Sequence, residues 1–326
     1  MRFVAAALAV LCLVFQNASP GHAQDTWPSR NVTIIVPFTA GGTADLFARL
    51  LASHMQVTFG QSFVVENRGG AGGNIGAAAV AKAPNDGYTL LLGTVSTHAI
   101  NPTLYSNLTF DAAKDFQPVS LIARLPNMLV VKNSMPVKNV AEFVAYVKAN
   151  PDKLNYGSSG VGTSIHLAAE LFKIATGTKM THVPYRSSNE IMQNLTGGHI
   201  DLAFDNITLA WPQAKAGTVR ALGVTSPERS PTAPEVPPIA DTLKGFDATS
   251  WHGLFAPAGT PRPIVEKMAV EMKRILQMPE TVTKLTDIGA VPSPMTRINS
   301  PPSLPANVRN GPRWSRRQGR RRIEYI

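Results

Sequence analysis

Short β-branched runs alternate with amphipathic stretches along most of this chain. Residues 32–36, Val-Thr-Ile-Ile-Val, are apolar and short enough for a buried strand. Leu46, Phe47, Leu50 and Leu51 follow at helical spacing, which predicts a helix over 45–57. The same alternation predicts strands at 62–66 and 89–93 and a helix at 74–82. From about Asn127 a second set begins, with a strand at 128–132, a helix at 140–149, a strand at 154–157, a helix ending near Thr176 and a strand at 180–183. Ser187-Ser188-Asn189-Glu190 has the capping-box pattern and opens a helix that stops at Gly197-Gly198. Strands at 200–204 and 220–225 complete this set. The Pro-rich stretch 231–238 reads as a loop, because a strand-like run over 251–256 follows it. Thr260-Pro261 then reads as an N-cap and N1 pair opening a helix to Leu276. This order predicts an α/β fold, long enough for two domains.

Two glycine- and hydroxyl-rich loops each stand between a strand and a helix, one in each set. The first is Pro37-Phe38-Thr39-Ala40-Gly41-Gly42-Thr43-Ala44-Asp45; the second is Tyr156-Gly157-Ser158-Ser159-Gly160-Val161-Gly162-Thr163-Ser164-Ile165-His166, with Thr163 or Ser164 as N-cap. At a helix start the first backbone N–H groups lack helical partners and the dipole is positive, so an anion can bind without a cation beside it. Glycine lets a ligand approach the backbone, and hydroxyls add donors. One such loop is equally well a capped helix start. Two alike point to an anion gripped from both sides.

Charge and the chain ends change the picture little. Met1-Arg2 precedes an apolar run from Phe3 to Phe15, and Gly21-His22-Ala23 offers small residues at a cleavage site, so residues 1–23 read as a secretory signal peptide. The mature chain then starts at Gln24 and loses the sole cysteine, Cys12, which excludes disulfides, thiol catalysis and cysteine metal sites. No later segment has the roughly 18 apolar residues of a membrane helix. The formal net charge is +10, but residues 297–326 hold eight Arg against one Glu. Aromatic interleaving there is confined to Trp314 and Tyr325, and an exported protein rarely meets nucleic acid, so no nucleic-acid partner is expected. Read in another frame with suitable codons, residues 299–317 can encode an amphipathic helix. The basic tail is therefore read as a frameshift product whose charge says little about partners.

Several ordered motifs carry a family resemblance. Val36-Pro37-Phe38, Gly41-Gly42, Asp45, Val65-Glu66-Asn67-Arg68, Gly70-Ala71-Gly72-Gly73-Asn74-Ile75-Gly76, Asp86-Gly87-Tyr88-Thr89-Leu90, His182-Val183-Pro184-Tyr185 and Pro257-Ala258-Gly259-Thr260-Pro261 resemble the Bug family. These are the substrate-binding receptors of tripartite tricarboxylate transporters, and the likeness runs over residues 27–296. It implies a type II periplasmic binding protein, two α/β lobes with a hinge, located in the periplasm. It also implies a small carboxylate held by loop backbone and hydroxyls, with large and small integral membrane transporter subunits as partners. Residues 24–126 with 245–296 would form lobe 1 and 127–244 lobe 2, in a monomer without a cofactor. Carried across, the resemblance puts Phe38, Thr39, Ala40, Gly41, Gly42, Thr43, Asp45, Thr94 and Ser96 in the first half of the pocket. Ser158, Ser159, Gly160, Gly162, Thr163 and His166 would form the second half, with Tyr185, Asp205 and Asn206 at its wall. Ala40 stands where the family commonly has Pro, and Ser187 where Gly usually follows.

Single residues keep two readings. Asp205 at a strand end either accepts from a ligand amine or an ordered water, or caps the following turn. His166 either faces the site or caps and packs. Arg68 and Glu66 orient the Gly-rich loop, the direct carboxylate ligand being the weaker reading for Arg68. His98, His182, His199 and His252 lack metal-ligand spacing and read as structural. Gly157-Ser158-Ser159-Gly160-Val161 is not a nucleophile elbow. A periplasmic esterase or amidase built on Ser158, His166 and Asp205 stays as an alternative, as does a receptor of this fold that feeds a signalling protein.

Overall fold

The computed structural model describes residues 27–294, together with the backbone of 313–317 and 320–324. The readings of 1–23 as a signal peptide and of 297–326 as a frameshifted tail lie outside the described residues, apart from that backbone. In the first part of the chain β1 (Val32–Val36), α1 (Thr43–Phe59), β2 (Phe63–Asn67), α2 (Asn74–Ala81) and β3 (Thr89–Thr94) alternate. A π-helical turn at Ser96–Ile100, the single turn α3 (Asn101–Leu104) and the long strand β4 (Phe116–Leu125) follow. The second part runs β5 (Asn127–Val131), α4 (Val140–Ala149), β6 (Asn155–Ser158), α5 (Ser164–Thr176), β7 (Thr181–Pro184), α6 (Ser188–Thr196), β8 (Leu202–Asn206), α7 (Ile207–Lys215) and β9 (Arg220–Val224). The last part holds β10 (Ser250–Pro257), α8 (Arg262–Gln277), α9 (Pro279–Asp287) and β11 (Val291–Pro292). Beyond it, β12 (Arg313–Arg317) pairs antiparallel with β13 (Arg320–Glu324).

Two α/β lobes result, each built on one open sheet. The first sheet has the order β11-β4-β10-β3-β1-β2, with β1 parallel to β2 and β3, and β10 antiparallel to β3 and β4. The second has the order β7-β6-β8-β5-β9, with β6 parallel to β7 and β8, and β5 antiparallel to β8 and β9. Apolar periodicity explains the layering. α1 buries Ala44, Phe47, Ala48, Leu51, Ala52 and Met55 along one stripe and ends at Gly60, whose φ of 67° suits a glycine cap.

The chain passes between the sheets twice, through Pro126 and through residues 225–249, and the two passages are tied together. Asn127 N–H donates to Thr225 Oγ1 at 2.8 Å, and Thr225 N–H donates to the Asn127 carbonyl at 2.9 Å. Ala248 closes the knot by donating its N–H to the Thr225 carbonyl and accepting from Thr225 Oγ1 at 3.1 Å.

Among the elements that the sequence pattern does not predict, three carry proline. β4 contains Pro118, which is tolerated where its pairing with β10 shifts register between Leu254 and Phe255. α7 carries Pro212 inside it, and α9 opens with Pro279. Thr260 is not the N-cap of α8, as the Thr260-Pro261 pair suggested. Its hydroxyl donates back to the Pro257 carbonyl at 2.8 Å, and Pro261 takes the cap position with the helix starting at Arg262.

Candidate functional site

The parallel strands β1, β3, β6 and β8 all end at the gap between the two sheets, the place where open α/β sheets receive ligands. Four helices begin there. α1 contributes Gly42, Thr43 and Ala44; α5 contributes Thr163, Ser164 and Ile165; α6 contributes Ser187 and Ser188; and α7 contributes its N-cap, Asn206. Together with Phe38, Thr39, Thr94, Ser96, Ser159, Arg186, Ser250 and His252 they enclose a cavity. The cavity volume is about 50 Å³, room for a small polar ligand or a few waters. No carboxylate lines it, and Arg186 makes no ion pair among the described residues. Helix dipoles and free first-turn N–H groups therefore set a positive field.

Each loop is held from behind. In the first, Asn67 Nδ2 donates to the Phe38 carbonyl at 3.1 Å, and Gly41, at φ 80°, donates its N–H to Asp45 Oδ2 at 3.0 Å. Burial pushes the Asp45 carboxyl up, but hydrogen bonds from Arg49 and the Gly41 amide outweigh it and hold the group below the usual range. α1 has no side-chain cap, so the N–H groups of Thr43 and Ala44 stand at the cavity without a capping oxygen. In the second loop, Ser158 Oγ sits 2.6 Å from His182 Nε2 and accepts from Gly160 N–H at 3.1 Å. Thr163 caps α5 by accepting from His166 N–H at 3.3 Å.

Nine of the residues singled out in the sequence meet at the cavity: Phe38, Thr39, Gly42, Thr43, Thr94, Ser96, Ser159, Thr163 and Asn206. Ala40, Gly41, Gly160 and Gly162 shape the loops without lining it. Asp45 and Ser158 sit behind them as described. His166 packs 4.4 Å from the His182 ring and 6.5 Å from that of Tyr156, its Nδ1 accepting a long 3.5 Å bond from Gly162 N–H. Burial lowers its pKa to about 4. Tyr185 is half-buried against the core. Asp205 is fully buried, accepts from Ser188 Oγ and from its own neighbour Asn206 N–H, both at 2.7 Å, and is raised by burial to about 6. It positions two wall residues rather than touching the cavity. Arg68 pairs with Glu66 at 2.5 Å.

The catalytic arrangement weighed for Ser158, His166 and Asp205 does not assemble. Ser158 partners His182 and Asp205 partners Ser188, while His166 serves the second loop. His252, structural by its spacing, lies in the cavity lining. Ser250 and Arg186 line the cavity too, as does Ser188, whose sequence signal is only that of a helix start. Strand alternation carried the only signal for Ser250 and His252, which fall on one face of a run that is otherwise apolar.

Four hydrogen bonds join the lobes around the cavity. Thr39 Oγ1 donates to the Arg186 carbonyl at 3.0 Å, the Thr43 and Thr208 hydroxyls meet at 2.5 Å, Ser164 N–H donates to Ser96 Oγ at 3.1 Å, and Tyr105 OH donates to the Val161 carbonyl at 2.8 Å. The cleft is thus closed.

Comparison with known proteins gives one consistent likeness. The family described as "Tripartite tricarboxylate transporter family receptor" matches residues 47–299. A protein from Pseudomonas sp. (strain P51), described as "UPF0065 protein in tcbD-tcbE intergenic region", is 40% identical over 267 residues, covering 81% of this chain and 79% of its own. The solved structure of R. palustris Rpa4515 with adipate is 42% identical with a TM-score of 0.81, covering 83% of this chain and 91% of its own. MatC from Rhodopseudomonas palustris, with bound malate, is 38% identical with a TM-score of 0.78, covering 81% and 90%.

Proposed function

Because the chain belongs to the tripartite tricarboxylate transporter receptor family, a family of solute receptors and not of enzymes, we propose that it captures a small carboxylate between its lobes and delivers it to integral membrane transporter subunits. One observation supports this most: four helix N-termini from two lobes meet around a cavity that no carboxylate side chain lines. A ligand carboxylate there would accept from first-turn N–H groups of α1 and from the hydroxyls of Thr43 and Ser159. It would bridge the lobes and favour the closed form by its differential affinity. Adipate and malate in the two related structures point to the same ligand class. Residues 24–126 with 245–296 would then move against 127–244 about the Asn127–Thr225 knot. Among the described residues no helix is long and apolar enough to cross a membrane.

Calorimetric titration with C4 to C6 mono- and dicarboxylates tests the capture step. Binding of at least one acid is expected, and a ligand present at about a hundred times its dissociation constant should add about 2.7 kcal/mol of stability. A folded protein that binds none of them would overturn the reading. Loss of acid uptake on deleting the gene, with the membrane subunits intact, is the outcome expected for the delivery step.

A further inference from the structure

Within the lobe 1 sheet, the face that packs on α1 changes character one ladder step from the cavity. Leu92 of β3 stands opposite Leu254 of β10, and both are fully buried. Two residues on, the same face carries Thr94 opposite His252, and then Ser250. Directly opposed cross-strand residues put their side chains side by side. Thr94, His252 and Ser250 are 3%, 4% and 2% exposed, and all three line the cavity. Thr94 Oγ1 and His252 Nδ1 have no hydrogen-bond partner among the described residues, and neither has Asn206 Oδ1, which meets the cavity from lobe 2. The Phe47 ring meets His252 edge-on at 5.1 Å and fixes it against the sheet.

Buried polar atoms without partners are costly, and a fold that needed only packing here would continue the leucine pair. The groups are uncharged hydrogen-bonding ones, a hydroxyl, an amide and an imidazole that burial keeps neutral near neutrality. Asn206 Oδ1 is an acceptor and disfavours a second carboxylate beside it, so the trio complements an uncharged polar substituent.

We propose that Thr94, His252 and Asn206 form a specificity subsite that takes a hydroxyl or oxo substituent of the ligand, so that the receptor prefers hydroxy- and oxo-substituted small carboxylates to the unsubstituted acids. This rests on the carboxylate-receptor reading and adds the substituent to it. A hydroxyl at the subsite donates to one of these atoms and accepts from another, while a methylene there leaves all three unsatisfied. Discrimination by a site built to hydrogen-bond a ligand hydroxyl follows from the same asymmetry.

Titration of the whole chain with matched pairs tests it: succinate against malate, and butanoate against 3-hydroxybutanoate and 3-oxobutanoate. The substituted acid is expected to bind about ten-fold or more tightly than its parent. Thr94→Val, nearly isosteric, and His252→Phe should narrow that ratio by weakening the substituted acid more than its parent, on the scale of one lost hydrogen bond. Circular dichroism and the unfolding midpoint establish that each variant is folded, and Thr94→Val stands as the test if His252→Phe is not. Equal affinity for substituted and parent acids, or a loss in the variants that falls equally on both, overturns the subsite and leaves the carboxylate receptor standing. Binding of no acid at all overturns both.

Discussion

Histidines show how far a residue's role depends on what surrounds it. His166 follows a glycine-rich loop and looks like a site residue, yet it packs behind that loop, while His252 in an apolar strand reaches the cavity. Nothing in the local sequence separates these cases, because burial and facing are set by strand pairing across more than a hundred residues. Their shared property is a depressed pKa. Burial brings His98 and His252 to about 3 and His166 to about 4, from an ordinary 6.5. The unfolded chain therefore binds protons that the native state excludes as pH falls through 6.5, and stability drops with acidification down to about 4. Asp205, raised to about 6 from 3.8, works the other way between those values and offsets part of the loss. The denaturant midpoint should thus fall between pH 7 and pH 5. His98→Phe, which keeps a ring against Phe255 but removes a titrating group, should flatten that slope. A midpoint that does not move with pH would refute the account.

At the scale of elements, strands and helices with unbroken apolar periodicity were legible, and those interrupted by proline were not. β1, β3, α4 and α8 announce themselves by spacing. β4 and α7 carry Pro118 and Pro212 inside them and depend on tertiary pairing to form, whereas α9 opens on Pro279, where proline suits a helix, but has no side-chain cap to mark its start. Caps were legible too. Ser187 accepts from Glu190 N–H at 3.2 Å, though Glu190 reaches back to Arg186 N–H rather than to the cap residue. Thr163→Ala removes the α5 cap and should cost about 1 kcal/mol, lowering the unfolding temperature by a few degrees. Thermal unfolding of the unliganded variant measures it. An unchanged midpoint would mean that water or the Ser96 contact suffices at this helix start.

For the whole molecule, the pairing of two loops across a cleft was legible as two similar motifs in different halves, but the closeness of the walls was not. That closeness is a matter of backbone approach. Gly162, at φ 84°, lies against the Asn101 amide and the Tyr105 ring of the opposite lobe, and Gly72 lies where an added Cβ would meet the Val161 carbonyl at 2.5 Å. Gly162→Ala would wedge the lobes apart as well as strain its own backbone. The variant is expected to fold, to bind its acid at least ten-fold more weakly, a loss of about 1.4 kcal/mol, and to scatter X-rays as a more extended particle under saturating ligand. Wild-type affinity would show that the lobes need not meet there.

The knot of Asn127, Thr225 and Ala248 has a consequence in time. Two chain passages bonded side by side act as one line, and a rotation about that line moves the atoms on it little and the far rim of the cleft much. If the lobes swing about the knot as proposed, wall contacts such as Thr39 to Arg186 would form only when the rim arrives, whereas the knot would bear the motion throughout. How tightly a solute is held would then be decided at the walls, and how often the lobes reopen at residues the solute never touches.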